Sequence, residues 1–185
     1  LSQYGIVYLL VIGMLGVVVV TGHRIKLVEI GSIIFVTVYI FVGFYSLYML
    51  RSLSLFHVGY LLLTIWFTDS FAYIGGMRFG KNKLSPKISP NKSIEGSVIG
   101  SLSSIVIALV FYFTTSIFTN LAVAIGITLV VSVIGQFGDL IESAYKREYG
   151  VKDSSNLLPG HGGIFDRFDS VILSAPCLIL LLNLL

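Results

Sequence analysis

Asp139, Asp166 and Asp169 are the residues through which this sequence could do chemistry. Asp166 and Asp169 stand three apart at the start of the last apolar run, which places them on one face of a helix. Carboxylates near a helix N-terminus are favourable in themselves. Together with Asp139 they could instead form a hard, oxygen-rich site for Mg²⁺, an ion that takes one or two carboxylates plus substrate phosphates. With one cysteine and three scattered histidines, zinc is not expected. Gln136, Asp139, Glu142 or Ser143, and Lys146 recur at three- and four-residue spacing, so a continuing helix would carry them as one polar stripe. Within that stripe Glu142 and Lys146 suit a solvated i,i+4 ion pair, a reading that fits Asp139 poorly. Asp69 lies in a further apolar run, where a charge is costly and normally faces a polar cavity.

Cations and glycines accompany these acids. Gly75-Gly76-Met77-Arg78-Phe79-Gly80-Lys81 precedes a stretch holding Ser89, Pro90, Lys92, Ser93 and Glu95. Glycines admit backbone amides to an anion, and lysines supply point charges for phosphate. Pro90 precedes a helix start that Ser93 could cap. Gly96 and Gly100 form a small-xxx-small pair suited to helix packing. Near the end, Gly160, Gly162 and Gly163 flank His161. Acids of the Mg²⁺ type, lysines, arginines and glycine-rich turns are the parts of phosphoryl or nucleotidyl transfer, which runs on positioning and charge neutralisation.

The elements that must position these groups are transmembrane helices. Of the 185 residues 56% are hydrophobic and 11% charged, and the mean hydropathy is +0.95. Soluble domains carry about 25% charged residues. Six apolar stretches of roughly bilayer length run over 4–21, 30–50, 55–76, 97–118, 120–140 and 170–185. An all-α polytopic integral membrane protein with about six transmembrane helices is expected, as one membrane domain over 1–185. The first stretch has no basic n-region or clear cleavage site and reads as a span rather than a signal peptide. The chain opens on Leu1, which is compatible with a longer native N-terminus.

Three polar connections, 22–29, 77–96 and 141–169, hold eleven of the twelve basic residues, and only Arg51 falls on the other side. The positive-inside rule makes these connections cytoplasmic. All nine acids lie in them or at the nearby helix ends. The polar site is therefore expected at the cytoplasmic face, with a lipid and a water-soluble compound as substrates. An ion-coupled transporter is the non-enzymatic alternative, but it calls for ionisable residues along a route to the outer face. The first, second and fourth stretches offer none at mid-depth.

The run Ser143-Ala144-Tyr145-Lys146-Arg147, then Lys152-Asp153, then Leu158-Pro159-Gly160-His161-Gly162-Gly163-Ile164-Phe165-Asp166-Arg167-Phe168-Asp169 resembles the signature of the phosphatidate cytidylyltransferases, or CDP-diglyceride synthases. Tyr145 departs from it mildly, standing where an aliphatic residue is usual. Asp69 with Ala72-Tyr73, Gly76, Gly80-Lys81 and the segment 89–96 resemble the same family. The resemblance covers 66–185, whereas 1–65 reads as generic transmembrane helix. The chain is shorter than typical members, which have more helices on the N-terminal side.

This resemblance implies that CTP and phosphatidic acid give CDP-diacylglycerol and pyrophosphate. It implies Mg²⁺, with K⁺ as a candidate second ion, held by Asp139, Asp166 and Asp169; Asp69, Gln136 and Glu142 are candidate additions. Lys146, Arg147, Lys152 and Arg167 would neutralise phosphates, and His161 would position a phosphate or its own loop. Ser89, Lys92 and Glu95, with Lys81, Gly162 and Gly163, would line the same substrate cavity. A bacterial inner membrane, a homodimer as candidate assembly and no nucleic-acid partner complete the expectation. A CTP-dependent polyprenol or lipid kinase is the enzymatic alternative.

Overall fold

The computed structural model describes residues 3–21, 27–155 and 162–184. Among them the helices are α1 (Gln3–Val20), α2 (Leu27–Leu53), α3 (Leu55–Phe79), α4 (Ile94–Ser103), α5 (Ile105–Thr114), α6 (Leu121–Glu148) and α7 (Phe165–Leu182). A two-stranded antiparallel hairpin, β1 (Lys83–Ser85) and β2 (Ser89–Ser93), lies between α3 and α4. The chain divides into two compact units, Leu1–Val42 and Gly43–Leu185. In the first, α1 and the opening of α2 line a small apolar cleft with Leu10, Met14, Ile34 and Phe41. Every group discussed below belongs to the second unit.

Among the described residues four helical stretches are long and apolar enough to cross a membrane: Val28–Leu53, Leu55–Phe79, Ile94–Thr114 and Leu121–Glu148. Six were expected. In α1 the apolar stretch identified, Tyr8–Val17, is shorter. Helix α7 opens with Asp166, Arg167 and Asp169 and carries Pro176 inside it. The Ile94–Thr114 stretch comprises two helices that meet at Ser104. Helix α6 does continue past the expected end of its apolar run, and this carries the whole polar stripe on one rod.

Small residues bring the site-bearing helices together. A Cβ on Gly96 would lie 2.5 Å from the Ala72 carbonyl oxygen, and one on Gly100 would lie 2.6 Å from that of Thr68. Only glycine lets α4 sit this close to α3. Likewise a Cβ on Gly138 would meet the Asp169 carbonyl oxygen at 2.7 Å, so α6 and α7 touch backbone to backbone one residue before Asp139. Gly43 packs in the same way on Ile172, joining the second half of α2 to α7.

The core beneath is apolar, with Leu50, Leu61, Ile65, Ala108, Val131 and Leu178 buried. Tyr60 is fully buried, and its hydroxyl shares a 2.6 Å hydrogen bond with Thr128, so this large ring is placed without an orphaned polar atom. Large apolar side chains such as Trp66, Phe113 and Leu180 point outward, as a lipid-facing surface requires.

Candidate active site

The hairpin forms where the sequence reads only as a polar connection. Its strands are short and lack alternating apolar residues, so no period announces them. What fixes it is Glu95. The Glu95 carboxylate accepts hydrogen bonds from the Lys81 amide (3.1 Å), the Asn82 amide (3.1 Å) and Asn82 Nδ2 (2.7 Å). The Ile94 amide donates to the Asn82 carbonyl, closing the same junction. Ser93 caps α4 by accepting from the Gly96 amide at 3.1 Å, as its place before the helix suggests.

The hairpin, α3, α6 and the start of α7 enclose a cavity of about 680 Å³. Asp69, Asp139, Asp166 and Asp169 all line it, with the cations Lys92 and Arg167. Lys92 Nζ pairs directly with Asp139 Oδ2, and Ser143 Oγ donates to the other Asp139 oxygen at 3.3 Å. Asp69, Asp139 and Asp169 are close enough to interact electrostatically with one another and with Lys92. Asp169 Oδ1 accepts from the Ser170 amide at 2.6 Å. Trp66, Tyr73 and Met77, on the same helix as Asp69, also line the cavity while remaining largely exposed at the protein surface.

A second charged cluster adjoins the first and differs from it. Lys146 Nζ lies 2.6 Å from Glu142 Oε2 and 2.9 Å from Asp166 Oδ1. The Glu142 side chain is 1% exposed, so this is a buried pair and not the solvated one its spacing suggests. Asp166 also accepts from the Ser154 amide (2.9 Å), Ser154 Oγ (2.6 Å) and the Gly163 amide (2.7 Å). Both its oxygens are therefore occupied by protein donors. Burial works to raise the Asp166 pKa, but hydrogen bonding with Glu142, Ser154, Lys146 and the Gly163 amide outweighs it and holds this carboxyl well below the usual carboxylate range.

The glycines next to this cluster have a steric function. Gly162 has φ +77°, a region side chains avoid, and a Cβ there would lie 2.8 Å from Asp166 Oδ2. A Cβ on Gly163 would lie 2.2 Å from Ser154 Oγ.

Several expected site residues fall elsewhere. Ser89 pairs with Ser85 in the hairpin, Glu95 is consumed by Lys81 and Asn82, and Lys81 is exposed beyond the end of α3. Of that group only Lys92 lines the cavity. Lys146 is engaged by two acids, Lys152 is exposed, and exposed Arg147 donates from Nε to the Ile88 carbonyl at 3.4 Å, bracing the hairpin. Glu142 does not line the cavity, whereas Gln136 does. His161 lies outside the described residues. Gly138, Ser154, Ser93, Ser97 and Trp66 shape the site without having been singled out as its members. Of these, Ser93 carried a sequence signal as the candidate cap of a helix, and Gly138 as a glycine directly before a helical aspartate.

The donor chemistry of the cavity suits a hard cation. Among the described residues no three of His, Cys, Asp and Glu are gathered closely enough to make a ready-formed metal site. Magnesium does not need three, because one or two carboxylates suffice when substrate phosphates complete the shell. Asp139 and Asp169, brought near each other by the α6–α7 contact at Gly138, are carboxylates of the kind that requirement names, and Asp69 lines the same cavity.

A sequence model of the cytidylyltransferase family matches residues 2–185 of the chain. The phosphatidate cytidylyltransferase of Staphylococcus aureus (strain COL) is 42% identical over 164 residues, covering 89% of this chain and 63% of the relative. That of Staphylococcus haemolyticus (strain JCSC1435) is 41% identical over 169 residues, covering 91% and 65%. The Staphylococcus epidermidis (strain ATCC 12228 / FDA PCI 1200) protein of the same name is 43% identical over 164 residues, covering 89% and 63%. The chain thus spans just under two thirds of the length of these curated relatives.

Proposed function

The chain belongs to the cytidylyltransferase family, and from that premise and its cavity we propose that it transfers a cytidylyl group from CTP to phosphatidic acid, giving CDP-diacylglycerol and pyrophosphate. The observation that carries this is the composition of one cavity. Acids and a lysine converge on the cavity, and Trp66, Tyr73 and Met77 give it an aromatic, outward-exposed edge. A triphosphate and a lipid headgroup need these two surfaces side by side.

In this reading a phosphate oxygen of the lipid attacks the α-phosphorus of CTP. The bond from that phosphorus to the bridging oxygen breaks, and pyrophosphate carries the electron pair away. The attacking phosphate is already ionised at pH 7, so no strong base is required. Asp139 and Asp169, assisted by Asp69, would hold Mg²⁺. When bound, that ion supplies charge neutralisation on the triphosphate. Lys92 and Arg167 bind phosphate oxygens, and Lys92 orients Asp139 through their ion pair. The Glu142–Lys146–Asp166 cluster ties Ser154 and Gly163 to α6 and the start of α7, so it acts on position and not on substrate. Trp66, Tyr73 and Met77 admit the lipid from the bilayer side. The cavity faces the cytoplasm of a bacterial inner membrane, consistent with the concentration of basic residues in the connections around it.

The test is incubation of the detergent-purified protein with labelled CTP, Mg²⁺ and phosphatidic acid. Labelled CDP-lipid with release of pyrophosphate is the expected outcome. Phosphorylated lipid alcohol with free CDP would make the protein a kinase, and absence of any lipid product would remove the transferase reading.

A further inference from the structure

Gln136 stands at the cavity wall with one half of its amide spoken for. Its Nε2 donates to Ser101 Oγ at 2.9 Å and to the Ser97 carbonyl at 3.4 Å. A carbonyl only accepts, so the nitrogen must face α4, and this fixes which way the amide points. Ser101 is itself buried, and its Oγ shares a hydrogen bond with Ser132 Oγ at 3.1 Å; Ser132 Oγ in turn lies 2.9 Å from Thr68 Oγ1. The amide is thus anchored by a buried chain of hydroxyls crossing three helices. Gln136 is 7% exposed, lines the cavity, and its Oε1 makes no hydrogen bond. The protein therefore presents a fixed acceptor to the cavity, three residues and about 4.5 Å of helix deeper than Asp139.

We propose that Gln136 Oε1 accepts a hydrogen bond from the nucleotide and so helps select CTP. The inference rests on the cytidylyl-transfer reading above. Of the two substrates, phosphatidic acid offers ester and phosphate oxygens, which are acceptors. The nucleotide brings the donors: the exocyclic amine of cytosine and the ribose hydroxyls. A fixed acceptor left unpaired in a buried wall discriminates against an analogue lacking the matching donor.

The experiment compares kcat/KM for CTP, UTP and dCTP in wild type, Q136M and S101A, with melting temperatures recorded alongside. UTP replaces the exocyclic amine by an acceptor, and dCTP lacks the 2′-hydroxyl, so the analogue rejected by wild type identifies the donor. Q136M keeps the side-chain length without the acceptor and should lower that preference about tenfold. S101A loosens the anchor from a residue off the cavity wall, and should narrow the same ratio about threefold even if Q136M folds poorly. Unchanged ratios in both variants, or a shift in Mg²⁺ requirement with ratios unchanged, would overturn the proposal. Failure of the underlying reading would show separately, as wild type making no CDP-lipid from CTP.

Discussion

The two charged clusters of this protein use the same residue types to opposite ends. Around Lys146, two carboxylates share one ammonium, and backbone and hydroxyl donors take the remaining lone pairs of Asp166. Around Lys92, three carboxylates face a cavity, and a single ion pair joins the lysine to Asp139. The first cluster is closed around its own cation, with both Asp166 oxygens taken by protein donors. The second retains unfilled oxygen valence beside open space. A polar motif does chemistry where the fold leaves its charges unmatched, and becomes a fastening where the fold completes them.

The sharpest way to break this contrast is Lys146→Ala. Removing the cation leaves Glu142 and Asp166 buried together, which should cost about 3–5 kcal/mol of stability. A large fall in melting temperature is expected. If Lys146→Ala kept wild-type stability and lost only turnover, the Lys146 cluster would belong to the chemistry after all.

The converse substitution is Asp139→Asn or Asp169→Asn. Each removes a charge from the open cluster while keeping the shape, so turnover should fall about 10²–10³-fold. The melting temperature should hold or rise, because mutual repulsion among the acids is relieved. The measurement is initial rate against Mg²⁺ concentration, beside a thermal melt. A clearly lowered melting temperature at wild-type turnover in either variant would reverse the roles assigned to the two clusters.

Gly163→Ala sharpens the contrast at intermediate size. Its Cβ would meet Ser154 Oγ at 2.2 Å and Ser155 Oγ at 2.6 Å, so the segment must move off Asp166. Overpacking of this kind costs about 1–3 kcal/mol. A melt should report that loss, with KM affected more than kcat if the segment serves position alone.

How far the sequence revealed these roles depends on the range of the interaction that sets them. The stripe on α6 is a three- and four-residue pattern, and helix period alone aligns Gln136, Asp139, Glu142 and Lys146. The close approach of α4 to α3 was signalled by Gly96 and Gly100. The Ser93 cap follows from a serine ahead of an apolar run. By contrast, the engagement of Asp166 depends on Ser154 and Lys146, twelve and twenty residues away, and no local spacing encodes it. The hairpin depends on Glu95 reaching back to Asn82, and the break at Ser104 interrupts an apolar run whose composition gives no sign of it. Family resemblance groups Asp166 with Asp139 and Asp169, but the fold surrounds it with different partners.

The smallest effect comes from a residue on the border between the two functions. Ser93 lines the cavity, yet its hydroxyl accepts from the Gly96 amide and ends the hairpin. If capping is its whole contribution, Ser93→Ala should cost about 1 kcal/mol, the usual worth of an N-cap. Turnover should then stay within about threefold of wild type, since a 1 kcal/mol loss of stability leaves a folded site unchanged. Ser93→Asp provides the discriminating arm. It preserves an N-cap acceptor and favours the helix dipole, so stability should be recovered. It also adds a carboxylate beside Lys92 and Asp139, and should weaken CTP binding by charge repulsion, seen as a raised KM for CTP with kcat nearly unchanged. Restored stability with a raised KM would place Ser93 on the structural side of the boundary while fixing how near the triphosphate passes. Loss of turnover in Ser93→Ala at full stability would move it to the other side.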